Sequence, residues 1–96
     1  MDSKVWGNKG WFFLHSITFN YPNQPTNVDK QNIKMFFHSM AKILPCSKCQ
    51  THFQQFIQQN PIESHYSDRL SLIKWLIDAH NNVCLLYTSP SPRDGL

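Results

Sequence analysis

Three X-Pro steps, Tyr21-Pro22, Leu44-Pro45 and Asn60-Pro61, cut the chain into segments that each read as one helix. Proline cannot continue a helix, and the residue before it is pushed out of the helical region, so each step acts as a stop. Between the stops, apolar residues recur at spacings of three and four. The first segment, from about Lys9 to Asn20, puts Trp11, Leu14, His15 and Thr18 on one face. The second, capped by Thr26 or Asn27, repeats Ile33, Phe36, Phe37, Met40 and Ile43. The third begins around Pro45-Cys46 and carries Cys49, Phe53, Phe56 and Ile57. The fourth starts after Ser67, a good cap, and holds Leu72, Trp75, Leu76, Ala79, His80 and Val83. No stretch reads convincingly as a strand. The expectation is an all-α, four-helix bundle over residues 1–83, with short loops.

A chain of 96 residues has room for one core and is short enough to need a staple, a metal, a cofactor or a partner. Its net charge of +3 is mild and its lysines are spread out, which argues against nucleic acid and membrane surfaces as partners. No apolar run has the length of a membrane span, and the start Met-Asp-Ser-Lys lacks a secretory signal, so a cytoplasmic setting is expected. Three cysteines are too few for a secreted disulfide scaffold.

Composition changes after Val83. Residues 84–94, Cys-Leu-Leu-Tyr-Thr-Ser-Pro-Ser-Pro-Arg-Asp, match one reading frame of a transposase-type sequencing adapter. Residues 84–96 are therefore expected to be a non-native, disordered tail, in which Cys84 has no biological meaning. The natural chain is expected to continue differently past Val83.

Cys46 and Cys49 stand as C-x-x-C at the expected start of the third helix. Free backbone N–H groups, the positive end of the helix dipole and Lys48 all favour a thiolate there. One helical turn separates the two sulfurs, the spacing for a disulfide that exchanges with incoming thiols. The rival reading is a zinc-stabilised binding module using Cys46, Cys49 and His52, with His65 as a further ligand. That reading lacks the usual second C-x-x-C or H-x-x-x-H pair, and a thioredoxin-like reading lacks the preceding strand. A dithiol that turns over repeatedly must pass two electrons onward, which implies a cofactor such as flavin. Trp11 and His15, spaced i,i+4, project from one helix face and, with His80, offer material for an aromatic, imidazole-lined pocket. On residue type alone, Trp11 and Trp75 are most simply core aromatics, and His15 and His80 more often polar groups at a core edge than cofactor contacts.

The ordered set of motifs resembles the Erv/ALR family of FAD-linked sulfhydryl oxidases. The matching pieces are Trp6-Gly7-Asn8-Lys9-Gly10-Trp11, Phe12-Phe13-Leu14-His15, Tyr21-Pro22 with Pro25-Thr26, Leu44-Pro45-Cys46-Ser47-Lys48-Cys49, His52-Phe53 and His80-Asn81-Asn82-Val83. The resemblance implies a helical bundle that holds the flavin ring of FAD beside the C-x-x-C. It assigns cofactor contacts to Trp11, His15 and Tyr21, with a turn from Gly7 to Gly10 nearby, and the adenine and ribose side to His80, Asn81 and Val83. Cys49 would be the flavin-proximal sulfur and Cys46 the one that exchanges with substrate. The implied activity oxidises thiols of protein substrates or of a small redox carrier protein, passing electrons through FAD to oxygen to give hydrogen peroxide. A homodimer is implied, as is a compact viral-type form acting in the host cytoplasm or virion. The chain departs from the family after Val83: an asparagine, a basic stretch that contacts the FAD phosphates and a fifth helix with a tryptophan are expected there, and Cys84 and the tail stand instead.

Overall fold

The computed structural model describes residues 3–87, with side chains described over 4–83. Helix α1 spans Ser3–Phe19, α2 Asn27–Ile43, α3 Ser47–Gln59 and α4 Arg69–Tyr87, with a single 3-10 turn at Ile62–Ser64 before α4. Among the described residues there is no strand. Helix α1 packs on α4, α4 on α3, and α3 on α2. No helix of the described residues is long and apolar enough to cross a membrane.

The stops fall where the prolines put them, but the starts differ. Helix α1 begins at Ser3 rather than near Lys9, and takes Gly7 and Gly10 into its body. The expected Gly7–Gly10 turn is therefore helical. A helical glycine costs about 1 kcal/mol relative to alanine, an amount that packing of the Trp11, Leu14 and Thr18 face can offset. At Gly10 the lack of a side chain matters, because a Cβ there would lie 2.9 Å from Cε3 of Trp6, one turn back.

Helix α2 opens with a capping box. The Thr26 hydroxyl accepts from the Asp29 amide, and the Asp29 carboxylate accepts from the Thr26 amide. At α4 the Ser71 amide donates to Asp68 at 2.8 Å, so Asp68 does the capping that was expected of Ser67. Helix α4 continues through Tyr87, into the segment set apart after Val83; once a helix exists, each added residue is cheap to propagate. The rest of the expected disordered tail, residues 88–96, lies outside the described residues.

The core is built on Trp75, Phe37, Phe53, Ile62, Leu72 and Leu76, all fully buried. Trp75 meets Phe37 edge to face, with ring centroids 5.2 Å apart, and its indole N–H donates to the Asn60 carbonyl at 2.8 Å. Thr18 is buried with its hydroxyl donating to the His15 carbonyl, which removes the cost of a buried hydroxyl. On α2 the inward stripe is Ile33, Phe37 and Ala41; Ile43, expected on it, falls round the far side and is 76% exposed. Ile62, held in by the 3-10 turn, belongs to the core as well.

Candidate functional site

Cys46 is the N-cap residue of α3, with extended backbone (φ −162°, ψ 118°). Its sulfur accepts the Cys49 amide at 3.3 Å, taking the place of the hydroxyl or carboxylate that usually caps a helix. The preceding loop is pinned: the Cys46 amide donates to the Leu44 carbonyl at 2.8 Å, and the Gln50 side-chain amide donates to the same carbonyl at 2.6 Å. The two cysteines differ in access. Cys49 is buried at 4% exposure, whereas Cys46 is part-exposed at the surface.

Phe53 lies one turn beyond Cys49 on the same face of α3 and leads to the aromatic cluster. Trp11 of α1 stacks on Phe53 at 5.9 Å between centroids and on His80 of α4 at 4.1 Å, with the Trp11 and His80 planes within 7°. Nε2 of His15 and Nδ1 of His80 are 2.9 Å apart. Burial pushes the His15 imidazole below its ordinary value of 6.5. Burial, and after it the charge His15 would carry, push His80 the same way. Both rings are then neutral at pH 7, so one can donate its N–H while the other accepts. Three helices thus bring flat aromatic faces and imidazole edges to the side of the bundle where Cys49 is buried. That set presents a flat aromatic face and imidazole edges against which a flat heteroaromatic ring can pack and hydrogen-bond.

Among the described residues the polar atoms Nε1 of Trp6, Nδ1 of His52 and Nε2 of His38 are buried without a partner. Such atoms cost about 1–3 kcal/mol each unless something satisfies them. Trp6 reaches over Gly10 on α1, and His52 follows Cys49 by three residues on α3, so two of the three flank the cysteine and cluster region.

The structure brings together Trp11, His15 and His80, with Phe53 as a further member. Phe53 had no cofactor role in the sequence, although its i+4 spacing from Cys49 was a signal for one. Tyr21 stands apart from this cluster. Its ring is buried, its hydroxyl donates to the Tyr66 carbonyl at 2.6 Å, and its own carbonyl accepts from Arg69 at 2.6 Å, so it ties the α1–α2 loop to the start of α4. Val83 is a core residue at 5% exposure, while Asn81 is exposed on α4. Gly7 has open space where a Cβ would stand. The zinc reading fails on geometry: among the described residues no three His, Cys, Asp or Glu side chains converge as a metal-ligand set, and Cys46, Cys49 and His52 do not.

An all-α bundle that caps one helix with the first cysteine of a C-x-x-C, beside an aromatic and imidazole cluster, defines a helical domain organised around one exposed and one buried cysteine. The comparisons with known proteins place it further. Residues 8–90 match the model of the Erv1/Alr family, and the chain belongs to that family. It is 38% identical over 84 residues to a probable FAD-linked sulfhydryl oxidase of Acanthamoeba polyphaga mimivirus, covering 86% of this chain and 59% of the relative. It is 33% identical over 82 residues to the mitochondrial FAD-linked sulfhydryl oxidase ERV1 of Saccharomyces cerevisiae, covering 85% of this chain and 42% of that protein. The crystal structure of the FAD-binding domain of Erv1 from S. cerevisiae superposes with a TM-score of 0.84 at 30% identity, covering 100% of this chain and 98% of that one. The chain thus spans about four to six tenths of the length of these two curated relatives.

Proposed function

We infer that this chain is the FAD-dependent thiol-oxidising domain of a sulfhydryl oxidase, forming disulfides in thiol-bearing proteins or in a small redox carrier protein. The observation that carries the reading is the difference in access between the two cysteines: Cys46 is reachable, and Cys49 is buried on the side of the aromatic cluster. A substrate thiolate attacks Cys46 of the Cys46–Cys49 disulfide, forming a mixed disulfide and releasing Cys49 as thiolate. A second substrate thiolate then attacks the substrate sulfur of that mixed disulfide. The product disulfide departs, and both cysteines are left reduced.

The residues present fit FAD. Trp11 and His80 offer stacking faces, His15 and His80 offer neutral donors and acceptors, and the unpartnered Nε1 of Trp6 adds a buried donor without a protein acceptor. Asn81, exposed beside His80, suits the ribose side; Gly10 lets the Trp6 ring lie close to α1, with Gly7 leaving open space. Val83 supports the site from the core, while Tyr21 ties the α1–α2 loop to the start of α4. When bound, FAD accepts the dithiol's two electrons and returns them to oxygen as hydrogen peroxide. The protein's part is to hold Cys49 buried near the ring's place and to keep Cys46 open to substrate.

The same reading includes a homodimer. Val5, Phe12 and Phe19 recur every seventh residue on α1 at 62%, 76% and 59% exposure, and Val28 and Met35 do so on α2. A stripe of that kind fits burial against a second copy, and sedimentation at twice 11.3 kDa is the expected result. The viral relatives support a viral-type enzyme, and with that reading goes work in the host cytoplasm or the virion. The test of the activity is oxygen uptake by the FAD-supplied chain with dithiothreitol. Cys49→Ser is expected to abolish it with the helical content unchanged, and turnover that survived this substitution would refute the assignment.

A further inference from the structure

The charge around Cys46 is one-sided. Between Asp29 and Glu63 the sequence holds no carboxylate side chain, while Lys30, Lys34, Lys42 and Lys48 fall within that interval. Helix α3, Ser-Lys-Cys-Gln-Thr-His-Phe-Gln-Gln-Phe-Ile-Gln-Gln, uses glutamine where surface helices commonly carry glutamate. The structure gives this pattern a location. Lys42 lies in the last turn of α2 and Lys48 between the two cysteines; both are exposed, and neither has a carboxylate partner among the described residues. Ile43 and Pro45, also exposed, form an apolar strip between Lys42 and Cys46.

Among the described residues the carboxylates sit elsewhere. Asp29 is at the far end of α2, and Glu63 is paired with Lys34 at 2.7 Å. Asp68 caps α4, and Asp78 is exposed on the outward side of α4, off the buried stripe of Trp75, Leu76 and Ala79. Lys34 and Lys42 are separated by roughly 12 Å of helix rise. That exceeds the Debye length of about 8 Å at physiological salt, so the Lys34–Glu63 region does little to cancel the field at Cys46.

We propose that the Cys46 face selects acidic thiol substrates, polypeptides whose reactive cysteine is flanked by aspartate or glutamate, through Lys42 and Lys48. This rests on Cys46 being the substrate-exchanging sulfur. Charge of this kind acts on encounter and orientation, and so on the rate of mixed-disulfide formation.

The test separates this selectivity from the oxidase reading by needing no flavin. In the full chain carrying Cys49→Ser and Cys84→Ser, Cys46 is the remaining cysteine. Matched peptides bearing one 2-pyridyl-activated cysteine, flanked by Glu, Gln or Lys, are mixed with it. The Cys46 thiolate attacks the peptide sulfur, the peptide–Cys46 disulfide forms, and pyridine-2-thiolate leaves with the electron pair of the broken S–S bond. At low ionic strength the Glu-flanked peptide is expected to react about tenfold faster than the Lys-flanked one, a gap that closes to within about twofold at high salt. Lys42→Glu with Lys48→Glu should reverse the order. The ratio between peptides is the readout, so a change in Cys46 thiolate content cancels. Equal rates at low salt, a preference for the Lys-flanked peptide, or an order unchanged in the double variant would overturn the proposal. Loss of oxygen uptake alongside an intact ratio would instead strike at the oxidase reading alone.

Discussion

The two ends of the bundle solve the problem of buried polar groups in opposite ways. At the end where α1 meets the start of α4, most of these polar groups have a fixed partner, Tyr21 on Tyr66, Arg69 on Tyr21, Lys34 on Glu63 and Trp75 on Asn60, with Nε2 of His38 near Glu63 the exception. At the end carrying Cys46 and Cys49, a sulfur caps the helix, two neutral imidazoles satisfy each other, and Nε1 of Trp6 and Nδ1 of His52 have no partner. The first arrangement holds a fold together. The second leaves hydrogen-bonding capacity and aromatic surface for a bound group, and the proposed flavin site lies there.

Matched substitutions can break this contrast. The largest effect is expected from the two tryptophans. Trp75→Ala removes a fully buried ring and strands the Asn60 carbonyl, so it should cost about 3–5 kcal/mol in denaturant melts. Trp11→Ala removes a half-buried ring and should cost only about 1–2 kcal/mol while weakening FAD retention about tenfold or more. If Trp11→Ala were the more destabilising and kept its flavin, Trp11 would be a core residue and the contrast would fail.

A smaller effect is expected at Tyr21. Tyr21→Phe deletes the hydroxyl donated to Tyr66 and should lower stability by about 1 kcal/mol, with flavin retention unchanged. Loss of flavin without loss of stability would move Tyr21 into the cofactor site.

The smallest is a pH dependence. His15 and His80 are held neutral in the fold, whereas in the unfolded chain they take up protons below about pH 6.5. The unfolded state then binds more protons, so Tm should fall as pH drops below about 6.5 and level off once the lowered folded pKa values are passed. His80→Gln should flatten that slope between pH 7 and 5.5. An unaltered slope would mean that the pair is not held neutral.

The helices were legible because three proline steps and a 3.6-residue apolar period agree with each other; inward positions such as Phe53, Phe56, Leu72 and Trp75 followed from them. The start of α1 was not, since Gly7 and Gly10 signal a turn locally and only the packing of the Trp11 face overrides it. Ser67 and Asp68 are both good caps by type, and position alone chose Asp68. At the site, spacing placed Cys46, Cys49, Trp11 and His15. The stacking of Trp11 on Phe53 and the removal of Tyr21 to the opposite end are tertiary facts that no local pattern encodes.

The most direct test is an anaerobic visible spectrum of the whole chain, refolded with FAD and freed of excess cofactor. Flavin bands that stay with the protein, bleach when dithiothreitol is added without air and return on aeration are expected, with Cys49→Ser keeping the bands but losing the rapid bleaching. Bands that stay with the intact chain and persist under dithiothreitol would contradict electron transfer from the Cys46–Cys49 pair.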